Sequence, residues 1–213
     1  WRPSASGATD DVVNPATGEL IGSVPSSGST DVDAAVRAAA DAFPGWAAKT
    51  PRERSEALHA LADAIEKDLP ELSRIESLNV GKPVSILEFE MDLTVDNWRF
   101  FASAGRFLEG RAAGEYMEGY TSMLRREPVG VVGSIAPWNY PLNMATWKLG
   151  PALTVGNTVV LKPSELTPYG ADKLAHMPKA AGLPDGEFNL VNGGRPTVEA
   201  LCRGVRYARS LCT

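Results

Sequence analysis

The feature that most constrains this chain is the way its apolar spacing changes period between residues 129 and 191. Residues 129–135 form a short apolar run, and residues 142–155, after Pro141, carry helical spacing. Residues 157–162 form a second apolar, β-branched run. Thr167-Pro168 then opens another helical pattern to about Ala181. The turn Gly182-Leu183-Pro184-Asp185-Gly186 leads into a third run at residues 188–191. Strands separated by helices have no room for hairpins, so they lie parallel and are joined by right-handed crossovers. The expected fold class is therefore α/β, with a Rossmann-like parallel sheet flanked by helices.

Upstream, residues 12–21 read as strand, turn, strand, punctuated by Asn14-Pro15 and Thr17-Gly18. A helix is expected over residues 31–43, capped by Ser29, Thr30 or Asp31, with Ala35, Ala39 and Phe43 on one face. Thr50-Pro51-Arg52-Glu53 combines a capping residue, proline at the first helical position and glutamate at the third. The stripe Leu58, Leu61, Ala62, Ile65 and Leu69 follows, and Pro70 is expected to close that helix. A short helix through Leu72, Ile75 and Leu78 should stop at Gly81. A long helix over residues 85–108 carries Leu87, Met91, Val95, Trp98, Phe101 and Phe107. Residues 120–126 alternate and read as a strand joined to the next one near Pro128-Val129-Gly130. The 213 residues are 44% hydrophobic, enough for one domain or one domain with an appendage.

The net charge of −5 gives no reason to expect nucleic acid or an anionic membrane as partner. No apolar run approaches the ~20 residues of a membrane span. Trp1-Arg2-Pro3-Ser4 is not a charged leader before an apolar block, so a cytoplasmic protein is the expectation. The two cysteines, Cys202 and Cys212, both lie near the C-terminal end, which argues against a disulfide framework. No metal site is expected.

In an open parallel sheet, ligands bind beyond the carboxyl ends of the strands. Two proline-framed segments fall there: Ala136-Pro137-Trp138-Asn139-Tyr140-Pro141 and Lys162-Pro163-Ser164-Glu165. Asn139 is uncharged and donates two hydrogen bonds, so at a strand end it suits a developing oxyanion; equally, it could satisfy loop backbone groups. Lys162 and Glu165 would offer a cation and an acceptor to ribose hydroxyls, or stand as a solvated strand end. Tyr140, Met144 and Trp147 share a helix face, and spacing leaves open whether that face is core or ligand wall. No Gly-x-Gly-x-x-Gly follows a strand, so the usual dinucleotide fingerprint is absent.

Several segments, taken together and in register, carry a resemblance. They are Asn14-Pro15-Ala16-Thr17-Gly18-Glu19, Gly81-Lys82-Pro83, Pro137-Trp138-Asn139-Tyr140-Pro141, Trp147-Lys148-Leu149-Gly150-Pro151-Ala152-Leu153, and residues 156–165. From about Val12 to Gly193 the chain resembles the N-terminal part of the aldehyde dehydrogenase superfamily. Residues 114–119 and 125–135 look most like bacterial γ-aminobutyraldehyde dehydrogenases, with betaine aldehyde dehydrogenases close behind.

The resemblance implies NAD as cofactor, with NADP not excluded; Glu165 favours NAD because a carboxylate near the ribose 2′-position repels a phosphate. It implies that Asn139 is the oxyanion-hole residue. It implies that Ile135, Ala136, Pro137, Trp138, Lys162, Ser164 and Glu165 line the cofactor site. Tyr140, Met144 and Trp147 would wall an aldehyde tunnel, with Asp92 and Asp96 as acidic residues for an amino-aldehyde; a solvated helix face is the alternative for these two. The implied organisation is residues 1–110 as strands and helices of the NAD-binding domain and 111–128 as an oligomerisation-type β-hairpin. Residues 129–193 would be an incomplete Rossmann-like part and 194–213 a divergent tail, with the catalytic domain absent. A complete enzyme would be a homo-oligomer acting on a small-molecule aldehyde, 4-aminobutanal or a relative of it.

Neither cysteine lies in the family's Gly-Gln-x-Cys setting, so no nucleophile is expected here. The chain alone is expected to be inactive. Arg195, Arg203, Arg206 and Arg209 crowd the tail, the pattern of a frameshift or premature stop. A non-catalytic fragment or subunit-binding module is the alternative reading.

Overall fold

The computed structural model describes residues 3–204 and 210–212. Arg206 and Arg209 of the tail lie outside them. The chain begins with an antiparallel hairpin, β1 (Thr9–Val13) and β2 (Leu20–Pro25), bulged between Val12 and Val13. Four helices follow: α1 (Ser29–Ala48), α2 (Pro51–Lys67), α3 (Leu69–Val80) and α4 (Val84–Ala104), the last running into a 3-10 turn at Gly105–Phe107. A second hairpin, β3 (Ala112–Met117) and β4 (Tyr120–Met123), precedes the parallel unit. That unit is β5 (Val131–Ile135), α5 (Pro141–Thr154), β6 (Thr158–Lys162), α6 (Tyr169–Ala175), α7 (Met177–Ala180) and β7 (Phe188–Leu190). Helix α8 (Arg195–Gly204) and strand β8 (Ser210–Cys212) complete the described chain.

The three predicted strands form a parallel sheet in the order β7-β6-β5, and β8, from the expected divergent tail, adds a fourth strand beside β5. Strand β5 sits between β6 on one side and β8 on the other, so the strand order reverses beside it. In open α/β sheets that reversal opens a crevice at the carboxyl ends. Side chains alternate across the sheet, as a period of two demands. Val132, Val159 and Leu161 join a large core with α2, α4, α5 and α6, which includes Trp98, Leu58 and Leu149. Val131, Val160 and Val191 point the other way, into a second core with Val32 and Ala39 of α1 and Leu201 of α8. The result is a sheet between two helix layers.

Local signals explain most element boundaries. Thr50 caps α2: its hydroxyl accepts from the Glu53 amide, and the Glu53 carboxylate accepts from the Thr50 amide at 2.7 Å. Gly81 ends α3 with φ 78°, the left-handed conformation that favours glycine. Other boundaries differ from the sequence reading. Helix α1 runs on through Pro44 to Ala48. Its last turn carries Trp46, fully buried, whose Nε1 donates to the Leu153 carbonyl at 2.9 Å; burial of the indole outweighs the hydrogen bond that proline removes.

Pro70 starts α3 rather than merely closing α2, because proline fits the first helical turn. Residues 120–123 pair back onto residues 112–117, not onto β5, so the hairpin is a separate two-stranded sheet. The single helix expected over residues 167–181 is broken at His176, beside Pro178 at the start of α7. Residues 195–204, expected in a divergent tail, form α8. It packs on α1, with Thr197 donating from its hydroxyl to the Ser27 carbonyl at 2.7 Å and Leu201 buried. Among the described residues no helix is long and apolar enough to cross a membrane, and no group of acids, histidines and cysteines has metal-binding geometry.

Candidate functional site

The two proline-framed segments leave adjacent strands on the same rim. Strand β5 ends at Ile135 and β6 at Lys162, paired in register. The Ala136 amide donates to the Lys162 carbonyl at 2.9 Å, which ties the start of one loop to the start of the other. Ala136 is buried and Pro137 partly so, while Trp138 and Asn139 turn outward. Asn139 stands just before α5, whose N-terminus carries the positive end of the helix dipole. No hydrogen bond joins the Asn139 side chain to any other described residue, so the loop does not consume its amide. An exposed amide beside a helix N-terminus is suited to an oxygen on which negative charge develops.

On the second strand, the Lys162 side chain is 4% exposed and its ammonium meets Glu165 Oε2 at 3.0 Å. Glu165 is half exposed. Partial burial opposes its charge, but a bond from its own amide and the Lys162 ammonium outweigh that, and its carboxyl lies below the usual carboxylate range. The rim thus offers a fixed cation and an ionised acceptor, a pair that fits the vicinal hydroxyls of a ribose. Ser164 has a local role: its Oγ accepts from the Leu166 amide at 3.3 Å and shapes the loop.

Tyr140, Met144 and Trp147 do share a face of α5. Tyr140 is 43% and Trp147 47% exposed, with Met144 between them and partly packed on the large core. The face is therefore an open wall rather than buried core. Helix α4 lies along α5, and Asn97 donates from Nδ2 to Asn143 Oδ1 at 3.2 Å. Asp92 and Asp96 are exposed on α4, the latter next to Asn97.

Sequence reasoning passed over three further residues here. Lys82, in the Gly81-Lys82-Pro83 turn, places its ammonium 3.6 Å from the centroid of the Tyr140 ring and 2.8 Å from both carboxylate oxygens of Glu90. Glu76, on α3, is buried against the Leu142 amide. In the sequence Lys82 stands out only as part of the Gly81-Lys82-Pro83 segment, without a role, and the two glutamates stand on the apolar faces of their helices, a pattern that helical spacing alone does not single out. Away from the rim, a cavity of about 690 Å³ opens at the outer edge of β7 against α1, α6 and α7; none of the predicted site residues lines it.

Residues 1–209 match the family described as the aldehyde dehydrogenase family, so the match runs on past Gly193. The 2-aminomuconic semialdehyde dehydrogenase of Homo sapiens is 42% identical over 193 residues, which cover 90% of this chain and 40% of that protein. An aldehyde dehydrogenase of Bacillus cereus, solved as an NAD+ complex, superposes with a TM-score of 0.93 at 38% identity. The superposition covers 98% of this chain and 44% of that one. Betaine aldehyde dehydrogenase from Staphylococcus aureus, solved with NAD+, gives a TM-score of 0.91 at 29% identity, over 99% of this chain and 47% of that one. The chain spans about 40% of the length of the curated relatives it matches. With the family matched along nearly all of its residues and the same architecture in solved members, this chain belongs to the aldehyde dehydrogenase family.

Proposed function

We propose that the whole protein oxidises an aldehyde to the carboxylic acid with NAD. This chain would supply the cofactor rim, the oxyanion donor and one wall of the aldehyde tunnel. The observation that carries the reading is the joined rim: Asn139 before α5 and the Lys162–Glu165 pair after β6, linked through the Ala136-to-Lys162 bond.

In this mechanism a cysteine thiolate adds to the aldehyde carbon, the C–O π electrons move to oxygen, and a thiohemiacetal forms. The Asn139 amide donates to that oxygen as its charge grows. NAD, when bound, accepts the hydride that leaves the same carbon. Lys162 and Glu165 would hold the adenosine ribose, and Ile135, Ala136, Pro137, Trp138 and Ser164 would form the loops around it. Water then releases the acid from the thioester with help from a general base. We assign the nucleophile and that base to parts of the protein beyond this chain, since Cys202 is an exposed residue of α8 in an Ala200-Leu201-Cys202-Arg203 setting. NADP is the alternative dinucleotide.

For the substrate we infer an aminoaldehyde, with 4-aminobutanal as the first compound to try. The human relative acts, by its name, on an amino-substituted semialdehyde. Asp92 and Asp96 on α4 and the aromatic faces of Tyr140 and Trp147 suit a cationic end. The test is an NAD-dependent assay with 4-aminobutanal on this chain, beside the chain extended with the C-terminal part of a relative. Activity only in the extended protein supports the reading. Turnover by the 213-residue chain itself would show that Cys202 or Cys212 is a working nucleophile and overturn the assignment.

A second reading, a subunit-binding module, rests on the hairpin. Tyr116, Met117, Tyr120 and Met123 are all strongly exposed on β3 and β4. In the whole protein this edge would join subunits into a homo-oligomer. Capture of an intact homologous subunit by this chain, lost when Tyr116 and Tyr120 become Glu, would support it.

A further inference from the structure

We propose that Glu76, Lys82 and Glu90 form a positioning cluster that fixes the start of α5 and, through Tyr140, the backbone that carries Asn139. The proposal rests on the oxyanion role given to Asn139 above. Three consecutive elements, α3, the Gly81-Lys82-Pro83 turn and α4, converge on the start of α5, which is remote from them in sequence. Tyr140 is the residue that caps α5, and Pro141 follows it at the first helical position. Proline has no amide hydrogen, so Leu142 brings the first free donor of the helix. Glu76, a fully buried carboxyl from the middle of α3, lies close to that amide, and its Oε1 has no hydrogen-bond partner among the described residues. A carboxylate at a helix N-terminus also faces the positive end of its dipole.

Lys82 grips the residue on the other side of Pro141. Its ammonium sits 3.6 Å from the Tyr140 ring centroid, a cation–π distance, and is only partly exposed. Its other partner, Glu90, is nearly buried and receives it at 2.8 Å on both oxygens. Lys82 is itself held in place, because Gly81 with φ 78° ends α3 and Pro83 leads into α4. The turn therefore delivers the ammonium to one spot. Gly170 of α6 completes the seat: a β-carbon there would strike Glu76 Oε1. Asn97 on α4 adds a further tie to Asn143, one residue into α5 beyond Leu142. Backbone on both sides of Pro141 is thus flanked by side chains from α3 and the turn after it: buried Glu76 beside Leu142, and Lys82 against the Tyr140 ring. Asn139, the preceding residue, is left with an uncommitted side chain on a fixed base. Such division suits an oxyanion donor, which must be in position before charge develops.

The test is amide hydrogen exchange on the full 213-residue chain, followed by mass spectrometry of peptides covering residues 136–145 and, as reference, β5 and β6. In Lys82→Met and in Tyr140→Leu, exchange at residues 138–144 should rise by about tenfold, the size that a shielded cation–π contact supports. The sheet should be unchanged. Lys82→Arg and Tyr140→Phe keep a cation and a ring, and should exchange as the native chain does. Tyr140→Leu is a change at a partly exposed site that leaves the Lys82–Glu90 pair intact, so it reports even if a Lys82 variant fails to fold. No local rise in Tyr140→Leu, or a rise spread evenly over the sheet, would overturn the proposal. The readout contains no catalysis, so a failure here is separate from a failure of the dehydrogenase reading.

Discussion

The Ala136 amide donates to the Lys162 carbonyl at 2.9 Å. One backbone bond thus couples the strand end that carries Asn139 to the strand end that carries the Lys162–Glu165 pair. On the proposed function, cofactor affinity and oxyanion stabilisation would reside on neighbouring but separable side chains.

Glu165 tests the cofactor half. Glu165→Gln keeps the shape but removes the charge, so NAD binding to this chain should weaken by roughly tenfold to a hundredfold, the loss of one charged hydrogen bond. Discrimination against NADP should fall at the same time, since the repulsion of a 2′-phosphate is gone. Calorimetric titration with both dinucleotides measures each effect.

Asn139 tests the chemical half. In the extended, active protein, Asn139→Ala should lower kcat by roughly 10²–10³, the loss of one oxyanion donor. NAD affinity and the melting temperature should stay as they are, because the side chain is exposed and makes no hydrogen bond to another described residue. Steady-state kinetics beside a thermal melt decide this.

Gly170→Ala should destabilise the chain by about 1–3 kcal/mol through overpacking against Glu76. Urea unfolding gives the figure. A fully neutral result would mean that the Glu76 carboxylate swings away freely.

Stability should fall as pH rises from about 4.5 to about 7. Burial pushes both Glu76 and Glu187 up to about 7, against the opposing bond from the Leu142 amide in the first and from the Glu187 amide in the second. Over that window the folded chain holds protons that the unfolded chain has released, so the contribution is complete below the ordinary glutamate range and gone above pH 7. Glu187→Gln should flatten the slope without touching the rim. Denaturant midpoints at pH 4.5, 6 and 8 check it.

Leu201→Ala should cost about 2–5 kcal/mol, as for other buried leucines. That outcome would make α8 part of the cooperative fold, whereas a small effect would leave residues 195–204 as a loosely attached tail.

Three strands of the parallel sheet were readable because each is a short apolar run between breakers, and such runs are decided locally; β8, in the segment read as a tail, was not. The strand-end positions of Asn139, Lys162 and Glu165 were readable for a related reason, while their proposed roles come from the resemblance and not from topology. What sequence missed depends on distant packing. Helix α1 passes Pro44 because Trp46 finds a place beside Leu153, more than a hundred residues on. Local spacing joins residues 120–126 to the next strand, whereas the hairpin over residues 111–128 comes only from the resemblance; residues 120–123 pair with β3. Glu76, Lys82 and Glu90 meet only because α3, α4 and α5 converge, and nothing in their own neighbourhoods announces it.

Strand β8 pairs with β5 only after α5, β6, α6, α7, β7 and α8 have intervened. A ribosome delivers residues in order, so β5, β6 and β7 emerge and can pair while the far side of β5 is still bare. Among the described strands, the pairing of β8 beside β5 is therefore the last to close during synthesis. A nascent chain stalled before Ser210 would have its rim loops formed but would lack one wall of the cleft.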